Sequence, residues 1–331
     1  MTHTRYDVLC IGNAIVDVIA DTDDAFLNKQ GLHKGSMRLI DEEEAVRLYG
    51  AMGPGREISG GSAGNTAAGL AALGLKAAFI GQVADDQLGK IYQHDIMAQG
   101  IDFLVSPRTD VGATARSLIL VTPDAQRTMN TYLGAAQRLE TDSVDLTAVA
   151  DSGIIYLEGY LWDPPEPRAA MEAAIEAAHA AGRKVAFTLS DTFCVDRHRE
   201  GFWQLLRDGK IDILFANEAE AASMAMANDV EEAISSLAKL APTLVVTRSE
   251  AGATAISGTE RADVPAEPIE RLIDTTGAGD LFASGFLAGQ ARGLGLEASL
   301  RLGAIAAAEV IQHYGARPEK DLRALAGGLV A

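Results

Sequence analysis

The chain has few cysteines and no stretch that could cross a membrane. Its 331 residues include two cysteines, Cys10 and Cys194, whose spacing fits neither a metal site nor a redox motif. We therefore expect two reduced thiols in or near the core. No run of about 18 apolar residues is free of polar interruptions, which argues against a transmembrane helix. The start of the chain also lacks the pattern of a signal peptide, so the sequence predicts a cytoplasmic protein.

Positive charge is scarce as well. Lys and Arg number 28 against 46 Asp and Glu, which gives a formal net charge of −18. Because a nucleic-acid surface requires clustered Lys and Arg, we expect no nucleic-acid partner and no membrane partner. The 48% hydrophobic content predicts a folded protein with a sizeable core. A small anionic ligand needs only a few local donors and stays compatible with this composition.

Several common catalytic motifs are missing. The sequence contains no GxxxxGK[ST] phosphate loop, no HExxH, no GxSxG and no protein-kinase catalytic loop. Gly277-Ala278-Gly279 begins like a dinucleotide-binding fingerprint, but Phe282 occupies its last glycine position. Hydride transfer on a dinucleotide fold is therefore a poor explanation of this chain.

Short apolar runs alternate with helical segments along most of the chain. The predicted strands are 6–12, 77–83, 153–159, 184–190, 211–217 and 243–249. The predicted helices are 65–73, 86–99, 167–181, 217–227, 230–240, 279–292 and 297–313. This alternation predicts a three-layer α/β/α sandwich with a mainly parallel sheet, in a single domain of residues 1–331.

Residues 14–40 and 112–133 interrupt that alternation. Both segments look like short antiparallel strands with polar turns, one of them the PDAQ turn at 123–126. We expect them to form a small β-sheet that serves as a lid. Ligands of open α/β sheets bind at the carboxyl ends of the strands, so the lid would cover that edge.

The stretch DTTGAGDLFASGFLAGQARG, residues 274–293, places small residues and a carboxylate at the start of a predicted helix. The N–H groups of Gly277, Ala278 and Gly279 precede or begin this helix and lack acceptors within it. Small side chains and the helix dipole would let an anion approach these amides. Asp280 could take a proton from an alcohol that attacks a phosphoryl group. Ordinary helix capping by Asp280 is the alternative.

A second glycine-rich stretch, SGGSAGNTAAGLAALG at 59–74, enters a predicted helix. A hydroxyl-rich ligand could lie on the backbone of Gly60 and Gly61 while Asn65 makes a bidentate contact with it. Asn13 and Asp17, in GNAIVD, could face the same ligand. The alternative is a tight turn followed by a helix of small residues that packs closely on the sheet.

The stretch NEAEA at 217–221 follows a strand and opens a helix. Asn217 and Glu220 have the spacing of a capping box, which would explain them structurally. The alternative places Glu220 among waters around Mg²⁺, a cation that prefers one or two carboxylates plus phosphate oxygens.

Together these stretches resemble the PfkB/ribokinase-like family of carbohydrate and nucleoside kinases, from about residue 5 to about residue 320. The C-terminal family motif fits at residues 274–280 and 284–287, and the N-terminal motif fits at Gly60, Gly61 and Asn65. The resemblance implies a ribokinase-like fold and transfer of the γ-phosphoryl group of ATP to a hydroxyl group with Mg²⁺.

The resemblance also implies a role for each matching residue. Asp280 would be the base that activates the acceptor hydroxyl, and the amides of residues 277–279 would form the anion hole. Asn217 and Glu220 match the family's NxxE motif, which organises Mg²⁺ and the nucleotide phosphates.

Two further groups of residues follow from the family patterns. Those implied to border ATP are Thr247, Ser249 and Gly252, although Ser249 stands where glycine is usual. The site implied for a monovalent cation such as K⁺ consists of Asp274 and the carbonyls around Val310 and Gly315.

Within the family, several segments resemble the adenosine kinase subgroup: GNAIVDVIA, SMRLIDEEEA, AFTLSDTF and IDILFANEAEAASMA. Arg127 falls where that subgroup has a lid arginine that meets phosphate; a solvated hairpin arginine is the alternative. A nucleoside base also needs an apolar slot, and its candidate residues are Met37, Leu39, Met129, Tyr160 and Trp162.

The resulting prediction is an ATP-dependent kinase that phosphorylates the 5′-hydroxyl of adenosine, forming AMP and ADP. The alternatives are a kinase for ribose, fructose or a keto-sugar acid, a kinase for inosine or guanosine, and a protein that binds a nucleoside without catalysis. The sequence leaves open whether the protein is a monomer or a homodimer.

Overall fold

The apolar runs predicted as strands form one large sheet in the computed structural model, which describes residues 4–124 and 126–330. In chain order, the strands are β1 (Tyr6–Ile11), β2 (Ile15–Asp21), β3 (Met37–Leu39), β4 (Arg56–Ser59), β5 (Ala77–Ile80), β6 (Asp102–Phe103), β7 (Ala115–Val121), β8 (Arg127–Tyr132), β9 (Ser152–Glu158), β10 (Lys184–Thr188), β11 (Ile213–Asn217), β12 (Thr243–Thr247), β13 (Ala253–Ser257) and β14 (Glu260–Val264).

The helices surround this sheet. They are α1 (Asp24–Gln30), α2 (Glu42–Ala51), α3 (Ser62–Ala72), α4 (Gln87–Ala98), α5 (Leu146–Ala150), α6 (Pro165–Ala180), α7 (Thr192–Arg207), α8 (Glu218–Ala225), α9 (Val230–Leu237), α10 (Ala278–Ala291), α11 (Leu296–Val310) and α12 (Leu322–Ala326). Within the described residues, none of these helices has the length and apolarity needed to span a bilayer.

The large sheet has the strand order β14-β13-β12-β11-β10-β9-β1-β5-β6. All neighbouring strands from β12 to β6 pair in parallel, while β13 and β14 pair antiparallel at one edge. The prediction of a mainly parallel sheet is therefore confirmed. Parallel sheets bury both faces, and this explains why each predicted strand is a continuous apolar run.

Strand β1 shows how the sheet separates two cores. Val8 and Cys10 belong to a cluster that includes side chains of α3, α10 and α11. Leu9 and Ile11, which alternate with them, belong to a second cluster with side chains of α6 and α7. Because successive side chains on a strand point to opposite faces, the alternation yields three layers. Both cysteines are buried free thiols, as expected.

The second sheet has the order β3-β8-β7-β2-β4. Four of these strands come from the two segments that interrupt the alternation, and β4 adds an edge strand from outside them. The expectation of antiparallel strands was only partly right, since β2 pairs parallel with β7 and β3 pairs parallel with β8. The predicted turn at 123–126 includes residue 125, which lies outside the described residues.

Residues 14–40 also contain a helix that the sequence interpretation missed. Helix α1 begins after Asp23, whose carboxylate accepts a hydrogen bond from the N–H of Phe26 at 2.7 Å. It ends at Gly31, whose φ of 68° is the left-handed conformation that favours glycine. These two caps stabilise a helix where we expected a polar turn.

Candidate active site

A cavity of about 540 Å³ lies between the small sheet and the carboxyl ends of the large-sheet strands. The residues of the predicted site that line it are Asn13, Asp17, Met37, Leu39, Gly61, Asn65, Met129, Tyr160, Asn217, Glu220, Gly277, Ala278, Gly279 and Asp280. The predicted residues outside its lining are Gly60, Arg127, Trp162, Thr247, Ser249, Gly252 and Asp274. Parallel strands carry their binding sites at this edge, so the cavity lies where the fold favours a ligand.

Helix α10 begins at this cavity without a capping side chain. Gly277, its N-cap, has a φ of 78°, and a Cβ there would lie 2.5 Å from the Cβ of Ala316. A larger residue would therefore be strained and would clash. The N–H of Ala278 donates to the carbonyl of Thr275 at 3.2 Å, so this amide already has an acceptor. The helix start nevertheless faces the cavity, where its dipole favours an anion.

Asp280 lies in the first turn of α10, and two side chains of α3 fix its carboxylate. Ser62 Oγ donates to Oδ1 at 2.7 Å, and Asn65 Nδ2 donates to Oδ2 at 2.8 Å. Burial raises the pKa of Asp280, while the bonds from Ser62 and Asn65 and the charge of Arg317 act to lower it. The result is an oriented carboxylate that faces the cavity and can accept a proton.

The two glycines before α3 allow a close approach of backbone segments. A Cβ on Gly61, where φ is 80°, would lie 2.2 Å from the carbonyl oxygen of Asn13. A Cβ on Gly60 would lie 2.4 Å from Asp17 Oδ2. Gly60 therefore acts behind Asp17 rather than in the cavity wall. Burial raises the pKa of Asp17 to about 7, although Arg317 and Arg127 counteract this effect.

Asn65 offers a further polar atom at this end of the cavity. Its side chain is nearly buried, and Oδ1 has no hydrogen-bond partner among the described residues. A buried acceptor without a partner costs free energy unless a ligand or water satisfies it. Asn65 Oδ1 is therefore suited to a hydroxyl group of an acceptor.

The sequence interpretation missed Glu158, which lies at the end of β9. Its two oxygens accept hydrogen bonds from the N–H groups of Asn13 (2.8 Å) and Ala63 (2.9 Å). This fully buried carboxylate joins the Gly12–Asn13 turn to the start of α3. Burial raises its pKa to about 7. The only hint in the sequence was one acidic residue in the apolar run GIIYLEG.

Asn217 and Glu220 form the complete capping box. Asn217 Oδ1 accepts from the Glu220 N–H at 2.8 Å, and Glu220 Oε2 accepts from the Asn217 N–H at 3.0 Å. Both side chains also line the cavity, so capping and ligand binding are compatible. Burial raises the pKa of Glu220 to about 7. The described residues contain no cluster of three or more His, Cys, Asp or Glu suited to a metal ion.

The residues predicted to border ATP lie beside this box rather than in the cavity. Thr247, at the end of β12, pairs with Asn217 in the sheet register. Ser249 has a φ of 48°, which explains why glycine is favoured there. Gly252 has a φ of 89°, and a Cβ on it would lie 1.9 Å from the carbonyl of Val264.

Arg127 and Asp274, which the sequence assigned to different sites, form an ion pair. Arg127 also donates to Thr276 Oγ1 at 2.9 Å. Asp274 further accepts from the N–H groups of Thr276 and Gly315, both at 3.0 Å. In this structure the guanidinium therefore balances the carboxylate that was predicted to hold a monovalent cation.

Apolar side chains line another part of the cavity. Met37 and Leu39 on β3 are 40% and 54% exposed, and Met129 faces Met37 in the sheet register. Tyr160 also lines the cavity, and its hydroxyl donates to Asp191 Oδ2 at 2.9 Å. The sequence interpretation missed Phe193, an aromatic residue in the lining that is 67% exposed.

Trp162 was wrongly placed among the candidates for the apolar slot. It is buried in the second core cluster and packs edge-on against Phe202 at a centroid distance of 5.9 Å. It lies outside the lining of the cavity. The short helix Gly159–Trp162 turns the chain after Tyr160, so neighbouring aromatic residues reach different environments.

Known proteins share this fold over nearly the whole chain. Residues 6–322 match the model of the pfkB family of carbohydrate kinases. A probable sugar kinase from Rhizobium etli CFN 42 is 51% identical, with a TM-score of 0.92 and 98% of each chain covered. Adenosine kinase from Sinorhizobium meliloti is also 51% identical, with a TM-score of 0.91, covering 97% of this chain and 98% of its own.

A more distant relative has a different acceptor in its name. Fructoselysine 6-kinase from Shigella flexneri is 31% identical over 265 residues, which cover 79% of this chain and 92% of the relative. Membership of a kinase family implies the use of ATP. This chain therefore belongs to the pfkB family of carbohydrate kinases and is a phosphotransferase that acts on a hydroxyl group.

Proposed function

We propose that this enzyme transfers the γ-phosphoryl group of ATP to the 5′-hydroxyl of adenosine, forming AMP and ADP. The observation that carries the choice of acceptor is the exposed apolar lining formed by Met37, Leu39 and Phe193. A purine base has large flat apolar faces that such side chains can cover, whereas a sugar offers only small C–H patches between its hydroxyl groups. The likeness to the adenosine kinase from Sinorhizobium meliloti supports the same choice.

Asp280 would act as the general base. Its carboxylate is held by Ser62 and Asn65, so it can accept the proton of the attacking hydroxyl without reorienting. The amides of Gly277 and Gly279, together with the dipole of α10, would stabilise charge on the transferring phosphoryl group. The amide of Ala278 would join them once it releases the carbonyl of Thr275. Asn13, Asp17 and Asn65 would bind the sugar hydroxyl groups of the acceptor, with Gly60 and Gly61 allowing the close fit.

The donor set fits Mg²⁺ bound through water and phosphate. Glu220 and Asn217 would hold the hydrated ion, which would neutralise charge on the phosphates of ATP. Thr247, Ser249 and Gly252 would border the nucleotide on the same side. A monovalent cation such as K⁺ at Asp274 would require Arg127 to leave that carboxylate and turn to the phosphates, as predicted for a lid arginine.

The small sheet would serve as a lid in a single domain of residues 1–331. It supplies Asp17, Met37, Leu39 and Met129 to the cavity, so its approach to the large sheet would complete the acceptor site. Excluding water at that point would limit wasteful hydrolysis of ATP.

A sugar kinase is the second candidate. The 31% identity to fructoselysine 6-kinase favours it, as does the probable sugar kinase from Rhizobium etli. The polar residues Asn13, Asp17 and Asn65 suit the vicinal hydroxyl groups of either acceptor. The alternative of a nucleoside-binding protein without catalysis is set aside, because the chain belongs to a family of kinases and binding alone does not require a carboxylate oriented like Asp280.

The formation of ADP from ATP should be measured in the presence of Mg²⁺. The acceptors to compare are adenosine, inosine, guanosine, ribose and fructose. We expect turnover with adenosine at micromolar concentrations. Met37→Ser should raise the KM for adenosine about tenfold, since it removes roughly 1 to 2 kcal/mol of apolar contact. Met97→Ser is the matched control, because Met97 is similarly exposed on α4 but lies outside the cavity. Turnover with a sugar alone would reject adenosine as the acceptor.

A further inference from the structure

Arg317 contacts both ends of the glycine-rich turn from far away in the sequence. It lies between α11 and α12, two residues after Gly315, and the sequence interpretation gave Arg317 itself no role. Its guanidinium donates to the carbonyl oxygen of Ser59 from Nε (3.2 Å) and Nη2 (3.0 Å), and to Ser59 Oγ at 3.1 Å. Nη1 donates to the carbonyl oxygen of Gly64. A planar fork of donors is suited to such a two-point contact.

The turn between these contacts carries several groups of the acceptor site. The backbone of Gly60 packs closely against Asp17, and that of Gly61 packs closely against the carbonyl of Asn13. Ser62 donates to Asp280. Ser59 is also the last residue of β4, so the same guanidinium ties the small sheet to the start of α3. Movement at either end of the turn would shift these groups together.

Acidic and phenolic groups from three elements face Arg317. Asp17 lies on β2, Tyr92 and Asp95 on α4, and Asp280 on α10. No carboxylate oxygen lies within 4.0 Å of the guanidinium among the described residues, so its charge acts on these groups without a direct ion pair. The positive charge lowers the pKa values of Asp17 and Asp280, both of which burial raises.

We propose that Arg317 is a positioning residue for phosphoryl transfer, which clamps the turn 59–64 at both ends and holds Ser62 against Asp280. This inference rests on the proposed role of Asp280 but not on adenosine as the acceptor. If Arg317 had only a structural role, its replacement would change only the stability of the protein. A clamp on the acceptor site also affects acceptor binding, and a nearby positive charge also affects the ionisation of the base.

The test compares Arg317→Met, Arg317→Lys and Arg292→Met, using whichever acceptor the enzyme turns over. Arg292 is the matched control, because its partly buried guanidinium donates to the carbonyls of Leu73 and Ala288, away from the site. The readouts are the acceptor KM, kcat, the pH profile of kcat/KM and the melting temperature. The phosphotransferase activity that family membership implies supplies the signal even if adenosine is not the acceptor.

Arg317→Met should raise the acceptor KM at least tenfold, since charged hydrogen bonds at two ends of the turn are lost. It should also move the acid limb of kcat/KM upward by about one pH unit, because the carboxylates lose a neighbouring positive charge. Arg317→Lys should keep the acid limb near that of the wild type while the KM stays raised, since an ammonium lacks the planar fork of donors that contacts Ser59 and Gly64 together. Arg292→Met should change neither quantity.

The proposal is overturned if Arg317→Met matches Arg292→Met in acceptor KM and pH profile, whatever happens to its melting temperature. A lower kcat with both of those quantities unchanged would also overturn it. If Arg317→Met does not fold, the lysine variant decides: an acceptor KM within twofold of the wild type would reject the clamp. If Asp280→Asn leaves turnover intact, the assignment of the base fails separately.

Discussion

Replacing Asp280 with asparagine tests the chemical step with little change in shape. In the wild type, Ser62 Oγ and Asn65 Nδ2 both donate to the carboxylate. An amide oxygen at position 280 can still accept from Asn65, and the Ser62 hydroxyl can rotate to accept from the new amide group. The two hydrogen bonds and the packing should therefore survive. What is lost is the ability to take a proton at pH 7.

The expected loss follows from that difference. General-base catalysis contributes about 10² to 10⁴ in rate, which corresponds to about 3 to 5 kcal/mol of transition-state stabilisation. We therefore expect kcat to fall at least 10²-fold, while the melting temperature and the Kd for ATP change little. Removing one negative charge near the nucleotide phosphates would, if anything, tighten ATP binding.

Single-turnover measurements with excess enzyme are the appropriate assay, because they report phosphoryl transfer without product release. Ser62→Ala is the matched control. It removes one hydrogen bond to the same carboxylate but leaves the base, so it should slow transfer only about three- to tenfold. An Asp280→Asn enzyme that keeps more than a tenth of wild-type turnover would refute the assigned role.

Three further predictions concern other parts of the site. The acceptor KM should rise as the pH falls from 8 to 6, because protonation of Asp17, whose pKa is about 7, removes a hydrogen-bond acceptor; in Asp17→Asn the KM should be higher and nearly independent of pH. Glu220→Gln should keep its bonds to Asn217 in part but raise the Mg²⁺ concentration needed for half-maximal activity about tenfold, and an unchanged magnesium titration would contradict its role. Gly277→Ala should lower the free energy of unfolding by about 2 kcal/mol or more, since it adds a clash with Ala316 to an unfavourable φ; a chemical denaturation curve that overlays the wild type would contradict this.

The large sheet could be predicted because its local signals agree with its burial. Strands β1, β5 and β9 to β12 are apolar runs that the fold buries on both faces. The hairpin β13–β14 escaped notice because polar residues interrupt its strands, most clearly in Glu260–Val264. Helix α7 was missed for a related reason, since its exposed face carries a dense series of charged residues. The apolar periodicity that marks an amphipathic helix breaks off between Val195 and Phe202 in this segment.

The pairing within the small sheet could not be predicted from local patterns. The parallel pair β2–β7 joins residues about a hundred positions apart, such as Val16 and Arg116. Nothing in either strand specifies its partner, whereas an antiparallel hairpin can be recognised from its turn. The default expectation of antiparallel strands held for β7 and β8, which are adjacent in the chain, and failed for β2 and β7.

The contrast between local patterns and long-range contacts also applies to the residues of the site. Asp280, Gly277, Ala278 and Gly279 were proposed as site residues because their chemistry lies in one contiguous motif. Glu158, Ser62 and Arg317 were not, since their importance depends on contacts with residues about 95 to 258 positions away. Arg127 was placed near phosphate by analogy, and its contact with Asp274 became visible only in three dimensions.

These long-range contacts also explain how the fold tolerates the carboxylates around its cavity. Burial raises the pKa of Asp17, Glu158 and Glu220 to about 7, and it raises that of Asp280 as well. A carboxyl group whose pKa is higher in the folded state binds protons more tightly there, so its contribution to stability falls as the pH rises between the unfolded and folded values. At neutral pH the cluster therefore costs stability.

Backbone N–H groups offset this cost at Glu158, and the guanidinium of Arg317 offsets it at Asp17 and Asp280. The proposed roles of these carboxylates, accepting a proton and holding a hydrated cation, would explain why the fold keeps them beside the start of α10 in spite of that cost.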